Sequence, residues 1–455
     1  MTDRLRGEAV TDRGVKVRNV LPCRIVASRP ELFDGLAELI SSFGLPTRVS
    51  APARALAEPA GEPGLDLLVL EGEEDAAALR RLRARSRAIG SPVVALMRGG
   101  RPRFASLALA LGCEDAIAFP LLEEELCFRL DTLVSFALLA RELRLREQVC
   151  SHWPAPDRGA PTPVLETVAG DVLLVGAPSP IQVKLADALP LKRVVFARSP
   201  RSAAARLAEA APLLVVHALD RDVGPEAAGT EELARAARRA RVGCVLAAPA
   251  GAVSVAQARA FGYDDRIAAD DSPEELRLRL GFWLRFVRTR RAMGELLRRA
   301  RGGPAVDPET GLWSRAMVLD YLHMRESYPA GRARACAVLR LGGLERLAER
   351  RGHLAVAAAL AALGERLARA VRAEDLPAHL AEGAFCVILP PTRAPDPEPL
   401  ALRLRELLAR PVAVAGEVET LPVAAVCGTL ERPADAPRAL ERCLREVEPD
   451  LRRAA

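Results

Sequence analysis

Twice along this chain, four short apolar runs alternate with stretches of helical periodicity, in the same order and at similar spacing. In the first round the runs are Cys23–Ala27, Leu65–Leu70, Pro92–Leu96 and Ala116–Phe119, with helical patterns at Pro30–Phe43, Glu74–Arg87, Phe104–Leu111 and Leu122–Arg146. In the second they are Asp171–Val175, Leu213–His217, Cys244–Ala247 and Arg266–Ala268. Apolar runs of this length read as strands buried on both faces, and such strands belong to parallel sheets covered by crossover helices. The rhythm predicts two doubly wound parallel α/β sheets, one after the other.

The breakers then divide the chain. Its 455 residues suggest about three domains. Residues 1–17 read as a polar, disordered arm, 18–147 as the first α/β domain, 148–168 as a Pro-rich linker, and 169–301 as the second α/β domain with a linker helix. Gly302-Gly-Pro304 opens a last domain over 302–455, whose pattern is α+β. No apolar run reaches the 18 or so residues of a membrane span and the first residues are charged, so the expectation is a cytoplasmic chain with no membrane span. Nine cysteines without C-x-x-C spacing read as reduced core thiols. Five histidines, at 152, 217, 323, 353 and 379, are scattered singly, and no metal or other cofactor is expected.

A net charge of +6 and a pI near 9.0 raise nucleic acid as a partner. The strongest basic run, Arg285–Arg301, interleaves Arg285, Arg288, Arg290, Arg291, Arg298, Arg299 and Arg301 with Leu284, Phe286, Val287, Met293, Leu296 and Leu297. That spacing predicts an amphipathic helix with a solvated basic face, and nothing resembles a DNA-reading module, so no nucleic acid partner is expected.

Chemistry concentrates in the last domain. Asp307-Pro-Glu-Thr310-Gly311-Leu312-Trp-Ser-Arg315 resembles the D-x-L-T-G-L-x-N-R segment of diguanylate cyclase domains. Arg372-Ala-Glu-Asp375-Leu-Pro-Ala-His-Leu380 resembles their R-x-x-D-L-P-x-R-Y, Phe385–Pro390 the strand that leaves their hairpin, and Ala401–Arg405 their A-E-R-I-R. Four fragments in the right order are more specific than any one. The resemblance implies a GGDEF-like α+β fold and an R-x-x-D site for cyclic di-GMP at Arg372 and Asp375, with Arg403 in the place of a second arginine. An arginine fork can pair in a bidentate way with phosphate or with guanine O6 and N7, and the Asp375 carboxylate is expected to accept from the guanine N1–H and exocyclic amine.

The catalytic half of the family pattern is missing. The Gly-Gly-Asp/Glu-Glu-Phe hairpin reads Ala381-Glu382-Gly383-Ala384-Phe385, and the family register puts Arg340 and Gly383 at the Mg²⁺ carboxylates and Ala348 and Ala357 at the guanine readers. Neither a cation nor bare backbone holds Mg²⁺. Glu382 stands one position out of register, and Glu349 matches an acidic position of the family, but neither restores a two-metal site. The expectation is a degenerate domain without cyclase activity.

The two preceding domains resemble receiver domains, and the order receiver, receiver, GGDEF is that of the PleD family. The phosphoacceptor positions correspond to Ser28-Arg29, Glu71, Met97 and Phe119-Pro120 in the first domain, and to Pro178-Ser179, Ala218, Ala248 and Ala269 in the second. Phosphorylation is expected in neither; Glu71 could imitate a charged acceptor or be part of a solvated acidic loop. Degenerate members of the family act as cyclic di-GMP-dependent adaptors that deliver a protein to a ClpXP-type proteolysis pathway at a cell pole. The resemblance thus implies a non-catalytic effector with protein partners of that pathway and recruitment to a pole, and a homodimer is left open beside a monomer. Two readings stay beside it. Only three of the 65 basic residues are lysine (Lys16, Lys184 and Lys192), so an Arg-x-x-Asp arises easily by chance. It could be an inert surface ion pair worth about 0–1 kcal/mol in a nucleotide-independent scaffold. The apolar stretch Leu130–Leu139 could join receivers, or pack within its own domain.

Overall fold

The computed structural model describes residues 21–57, 64–70, 76–98, 102–119, 122–153, 171–189, 194–209, 211–219, 229–324, 333–391, 397–414 and 416–454. The N-terminal arm, most of the Pro-rich linker, the acidic loop with Glu71, and Pro120 lie outside them. The chain divides into two compact units: residues 1–137 with 165–291, and residues 138–164 with 292–455.

The first unit contains both receiver-like sheets. The first sheet is β1 (Cys23–Val26), α1 (Asp34–Ser42), β2 (Thr47–Ser50), α2 (Pro52–Ala57), β3 (Leu65–Leu70), α3 (Ala76–Ile89), β4 (Val93–Arg98), α4 (Pro102–Leu111), β5 (Asp115–Phe119) and the start of α5 (Glu123–Ser151). The second is β6 (Val172–Val175), α6 (Pro180–Ala188), β7 (Val194–Ala197), α7 (Pro200–Glu209), β8 (Leu214–Ala218), α8 (Thr230–Arg239), β9 (Gly243–Ala248), α9 (Val255–Ala260), β10 (Asp265–Ala268) and the start of α10 (Pro273–Ala300). The strand orders, β2-β1-β3-β4-β5 and β7-β6-β8-β9-β10, are the same, and every pairing is parallel. All six residues of β3 are buried; its one polar member, Asp66, takes a two-pronged hydrogen bond from Arg24 at 2.9 and 3.0 Å. The sequence pattern missed β2 and β7. Both are edge strands, half-exposed along one side, and so lack a fully buried apolar run.

The two sheets meet through their last strands and helices, and the meeting is nearly symmetric. Arg129 of α5 reaches Asp115 at 3.0 Å, and Arg279 of α10 reaches Asp265 at 2.5 Å, fourteen residues apart in both cases. Arg279 also crosses to Asp115 at 2.9 Å, and Trp283 Nε1 donates to Asp265 at 2.7 Å. Phe136 packs its ring on Phe282 and Phe286 at 5.5 and 6.1 Å. Of the two roles open to the apolar stretch of α5, Phe136 therefore serves the joining of the two receiver-like sheets within this chain.

The basic run on α10 departs from its expected solvated face. Arg288, Arg290 and Arg291 are half-buried; Arg291 donates to the carbonyls of Ala211 (2.9 Å) and Pro212, and Arg290 to that of Arg241 at 3.4 Å. Carbonyls at loop ends lack internal partners, and an arginine fork supplies them. Helix α5, for its part, runs to Ser151, past the expected end of its helical pattern.

The second unit is built on a mixed sheet in the order β11-β13-β14-β12-β17. Its elements are β11 (Trp313–Ser314), α11 (Arg315–His323), β12 (Arg334–Leu341), α12 (Leu344–Arg351), α13 (His353–Ala370), β13 (Leu376–Ala381), β14 (Ala384–Ile388), α14 (Glu398–Leu408), a small hairpin of β15 (Val412–Val414) and β16 (Glu417–Glu419), β17 (Val423–Leu430) and α15 (Ala436–Ala454). Only β11 and β13 pair in parallel. Leu339, Phe385, Val387, Leu360, Leu363, Leu367 and Leu404 form one buried core between the sheet and α12, α13 and α14. The last turns of α5 complete the unit: the Glu142 carboxylate, fully buried, takes hydrogen bonds from Arg334 at 3.0 Å and from the Tyr321 hydroxyl.

Candidate functional site

Helix α13 leads straight into the Arg-x-x-Asp segment. Its buried stripe of Ala359, Leu360, Leu363 and Leu367 fixes it to the core, and Val371 leaves it in extended conformation. Gly364 allows this placement, because a Cβ there would stand 2.8 Å from the Thr310 carbonyl oxygen. The next four residues close a tight turn. The Arg372 amide donates to Asp375 Oδ2 at 2.9 Å, and the Asp375 amide donates to the Arg372 carbonyl at 3.2 Å. The two ends of the motif are thus joined through backbone. Asp375 is only 5% exposed, so its carboxylate faces inward, while the Arg372 side chain is 43% exposed. Its nearest anion is Glu374, at 3.8 Å.

Burial shapes the acids of this turn. Desolvation pushes Asp375 up to about 6; the Arg372 amide, then the Arg372 and Arg146 charges, pull the other way, and Glu142 adds to the rise. Glu374, buried beside Asp375, is pushed up to about 7 by the same cause and by the neighbouring carboxylate. Under the turn lies Arg146 of α5, 1% exposed, which donates to the Glu374 carbonyl at 2.7 Å and the Ala373 carbonyl at 3.5 Å.

Arg403 comes to the same end of the domain. It sits on the exposed face of α14, beside the buried Leu404, and donates to the carbonyl of Ala370, the last residue of α13, at 3.4 Å. A cation is favourable there, where the helix leaves its carbonyls unpaired. The three residues singled out from the sequence therefore gather around the C-terminus of α13: Arg372 and Arg403 with exposed guanidinium groups, Asp375 as the inner brace.

The hairpin carries a different surface. Gly383 turns the chain between β13 and β14 at φ +69°, and a Cβ there would press within 2.7 Å of Leu344. Arg340 lies half-buried on β12 opposite Ala384 and Ala424, Ala348 packs on the core, and Glu349 and Glu382 are exposed. Beside the hairpin is a cleft of about 560 Å³ lined by Asp307, Glu309, Arg315, His353, Ala357, His379 and Glu382 among others. The Asp-x-x-Thr-Gly segment forms one wall. Asp307 accepts from the Thr310 amide and hydroxyl at 2.8 and 2.7 Å and pairs with His379 at 3.1 Å, so these residues tie the entrance of the domain to β13. Among the described residues, no group of three or more His, Cys, Asp or Glu side chains is placed to hold a metal ion.

In the receiver-like sheets, Ala218 and Ala248 are the buried last residues of β8 and β9, and Ala269 follows β10 with its carbonyl bonded by Lys184 at 3.1 Å. His217 bonds Tyr263 at 2.6 Å inside the second sheet, and burial pushes it down to about 4, a neutral core histidine.

The family described as diguanylate cyclase, GGDEF domain, matches residues 304–455. Among solved structures, the FimX GGDEF domain from Pseudomonas aeruginosa is 20% identical with a TM-score of 0.29, covering 31% of this chain and 93% of that one. A sensory box/GGDEF family protein from Caulobacter crescentus is 22% identical with a TM-score of 0.28, covering 32% and 99%. The GGDEF domain of DgcB from Caulobacter crescentus in complex with c-di-GMP is 18% identical with a TM-score of 0.30, covering 33% and 92%. No curated protein matches the chain.

Proposed function

We propose that this chain is a non-catalytic cyclic di-GMP effector, PopA-like in type, that binds the nucleotide at the Arg372 turn and acts as an adaptor toward protein partners of a ClpXP-type proteolysis pathway. The observation that carries the reading is the turn: Arg372 and Arg403 are exposed at one end of α13, over a turn closed at both ends. The register of the family resemblance supports the non-catalytic part, since it sets Arg340, Gly383, Ala348 and Ala357 where a cyclase needs metal and guanine ligands. In this reading the two arginines take the phosphates and the guanine O6 and N7 edges, and Asp375 holds the turn that presents Arg372. The polar recruitment implied by the family resemblance is part of the same proposal.

A second reading, a nucleotide-independent scaffold, is favoured by one observation: Asp375 is buried and already accepts the Arg372 amide, as a purely structural brace would. Calorimetry separates the two. Titration of the full chain with cyclic di-GMP is expected to give saturable binding, and no heat at high micromolar ligand would leave the scaffold. In parallel, incubation with GTP and Mg²⁺ or Mn²⁺ is expected to yield no cyclic di-GMP; sustained product would overturn the non-catalytic part.

A further inference from the structure

The Arg-x-x-Asp turn does not stand by itself. Its two middle carbonyls, of Ala373 and Glu374, both accept from Arg146, which belongs to α5, more than two hundred residues earlier in the chain. Arg146 is in turn fixed on two further sides. Glu142, one helical turn before it, lies at 3.7 Å; Met293 Sδ lies 3.2 Å from its other nitrogen; and Glu142 is itself held by Arg334 and Tyr321. A guanidinium so fully buried has no water to exchange for these partners, so the carbonyls of the turn are its anchorage.

We propose that Arg146, oriented by Glu142, is a positioning residue of the cyclic di-GMP site. By clamping the carbonyls between Arg372 and Asp375 it holds the turn in the conformation that presents the Arg372 guanidinium. The inference rests on the reading of the turn as the nucleotide site. Its physical content is preorganisation: a turn already closed pays no ordering cost when a ligand arrives, whereas a loose one spends part of its interaction energy on closing. Arg146 touches no ligand in this arrangement. It acts through the backbone of Ala373 and Glu374.

The experiment compares wild type, R146M, R146K, R372A and the R146M/R372A double variant in the full chain by two measurements, cyclic di-GMP calorimetry and amide hydrogen exchange of the ligand-free protein. The amides of Arg372 and Asp375, which close the turn, are the reporters. R146M is expected to speed their exchange by roughly ten-fold or more while the β12 and β14 amides keep their protection. The same substitution is expected to weaken nucleotide binding by roughly ten-fold, and the loss is expected to vanish in the R372A background, where the presented group is gone. R146K, which keeps the charge and a donor, is expected to fall between. Unchanged exchange at the two amides in R146M overturns the proposal, as does an equal loss of affinity with and without Arg372. If R146M does not fold, the exchange of R146K decides alone: protection equal to wild type overturns the clamp, and faster exchange confined to the turn supports it. If wild type binds no cyclic di-GMP, the effector reading fails, while the exchange result still tells whether Arg146 holds the turn.

Discussion

Two buried charge clusters hold this molecule together, and they end differently. In the first unit, Arg279 bridges Asp115 and Asp265, and Arg129 adds a second guanidinium to Asp115. Both arginines also reach carbonyls, of Ala116 at 2.5 Å and Arg266 at 3.5 Å, and their charges hold Asp115 below the usual carboxylate range even though burial works against them. In the second unit, Arg334 and Arg146 hold Glu142 low in the same way, but Arg146 goes on to the carbonyls of the Arg-x-x-Asp turn, so that Glu374 has only the exposed Arg372 guanidinium at 3.8 Å and Asp375 the Arg372 amide. Burial therefore pushes these two acids upward. A carboxylate that buried guanidinium groups meet directly is held low; one that only lies beside a carbonyl-bound guanidinium is left to burial and rises. The welded cluster joins the sheets, and the titrating one sits at the candidate site.

Breaking the weld has the largest expected effect. R279M leaves Asp115 and Asp265 short of their shared cation in a buried setting, where removal of one partner costs about 3–5 kcal/mol. Denaturant unfolding of the full chain is expected to show that loss in the first unit's transition; a change below about 1 kcal/mol would mean the sheets are held by apolar contact alone.

The titrating cluster is sharpened by pH. An acid whose folded-state pKa is raised binds a proton that the unfolded chain has already lost. Its favourable contribution is complete below its ordinary value and is lost as pH rises through the folded one. For Glu374 that window runs from about 4.5 to about 7. E374Q removes the titration and is expected to flatten the stability profile across this window by up to about 3 kcal/mol relative to wild type. Parallel profiles for the two proteins would show that Glu374 is solvated.

At the ligand surface, R372A is expected to weaken cyclic di-GMP binding by about thirty-fold, or about 2 kcal/mol, with unfolding unchanged. Equal binding by wild type and variant would place the nucleotide elsewhere. The smallest effect belongs to R403A, expected to stay under about ten-fold if that side chain only closes the site. R405A, an exposed charge on the same helix, is the control expected to match wild type.

Much of the scaffold was legible because buried parallel strands are written as apolar runs. Seven of its ten receiver-like strands could be placed to within a residue or so at each end, and β4 to within two, while the edge strands β2 and β7 were missed; for β7, the run Val194-Val-Phe-Ala was the signal available. The Arg-x-x-Asp motif was legible from family register, since Arg372 and Asp375 are close in sequence, but the turn that it closes was not. Nor was the role of Asp375, because only the fold shows its carboxylate taken by the Arg372 amide. Arg146 was illegible for a different reason: Glu142 and Arg146 have the spacing of an ordinary exposed ion pair on a helix, and nothing local tells that both are buried.

The near-symmetry of Asp115, Arg129, Asp265 and Arg279 bears on how such a chain can be divided and inherited. Each receiver-like domain keeps one arginine and one aspartate at matching places, yet Arg279 serves both aspartates. A gene fragment encoding either domain alone would carry half of a shared cluster: the second domain an apolar helix bearing Phe282 and Phe286 without Phe136, the first an Asp115 short of one cation. Domain shuffling, otherwise easy for modules of this fold, would have to move the two as a single cassette.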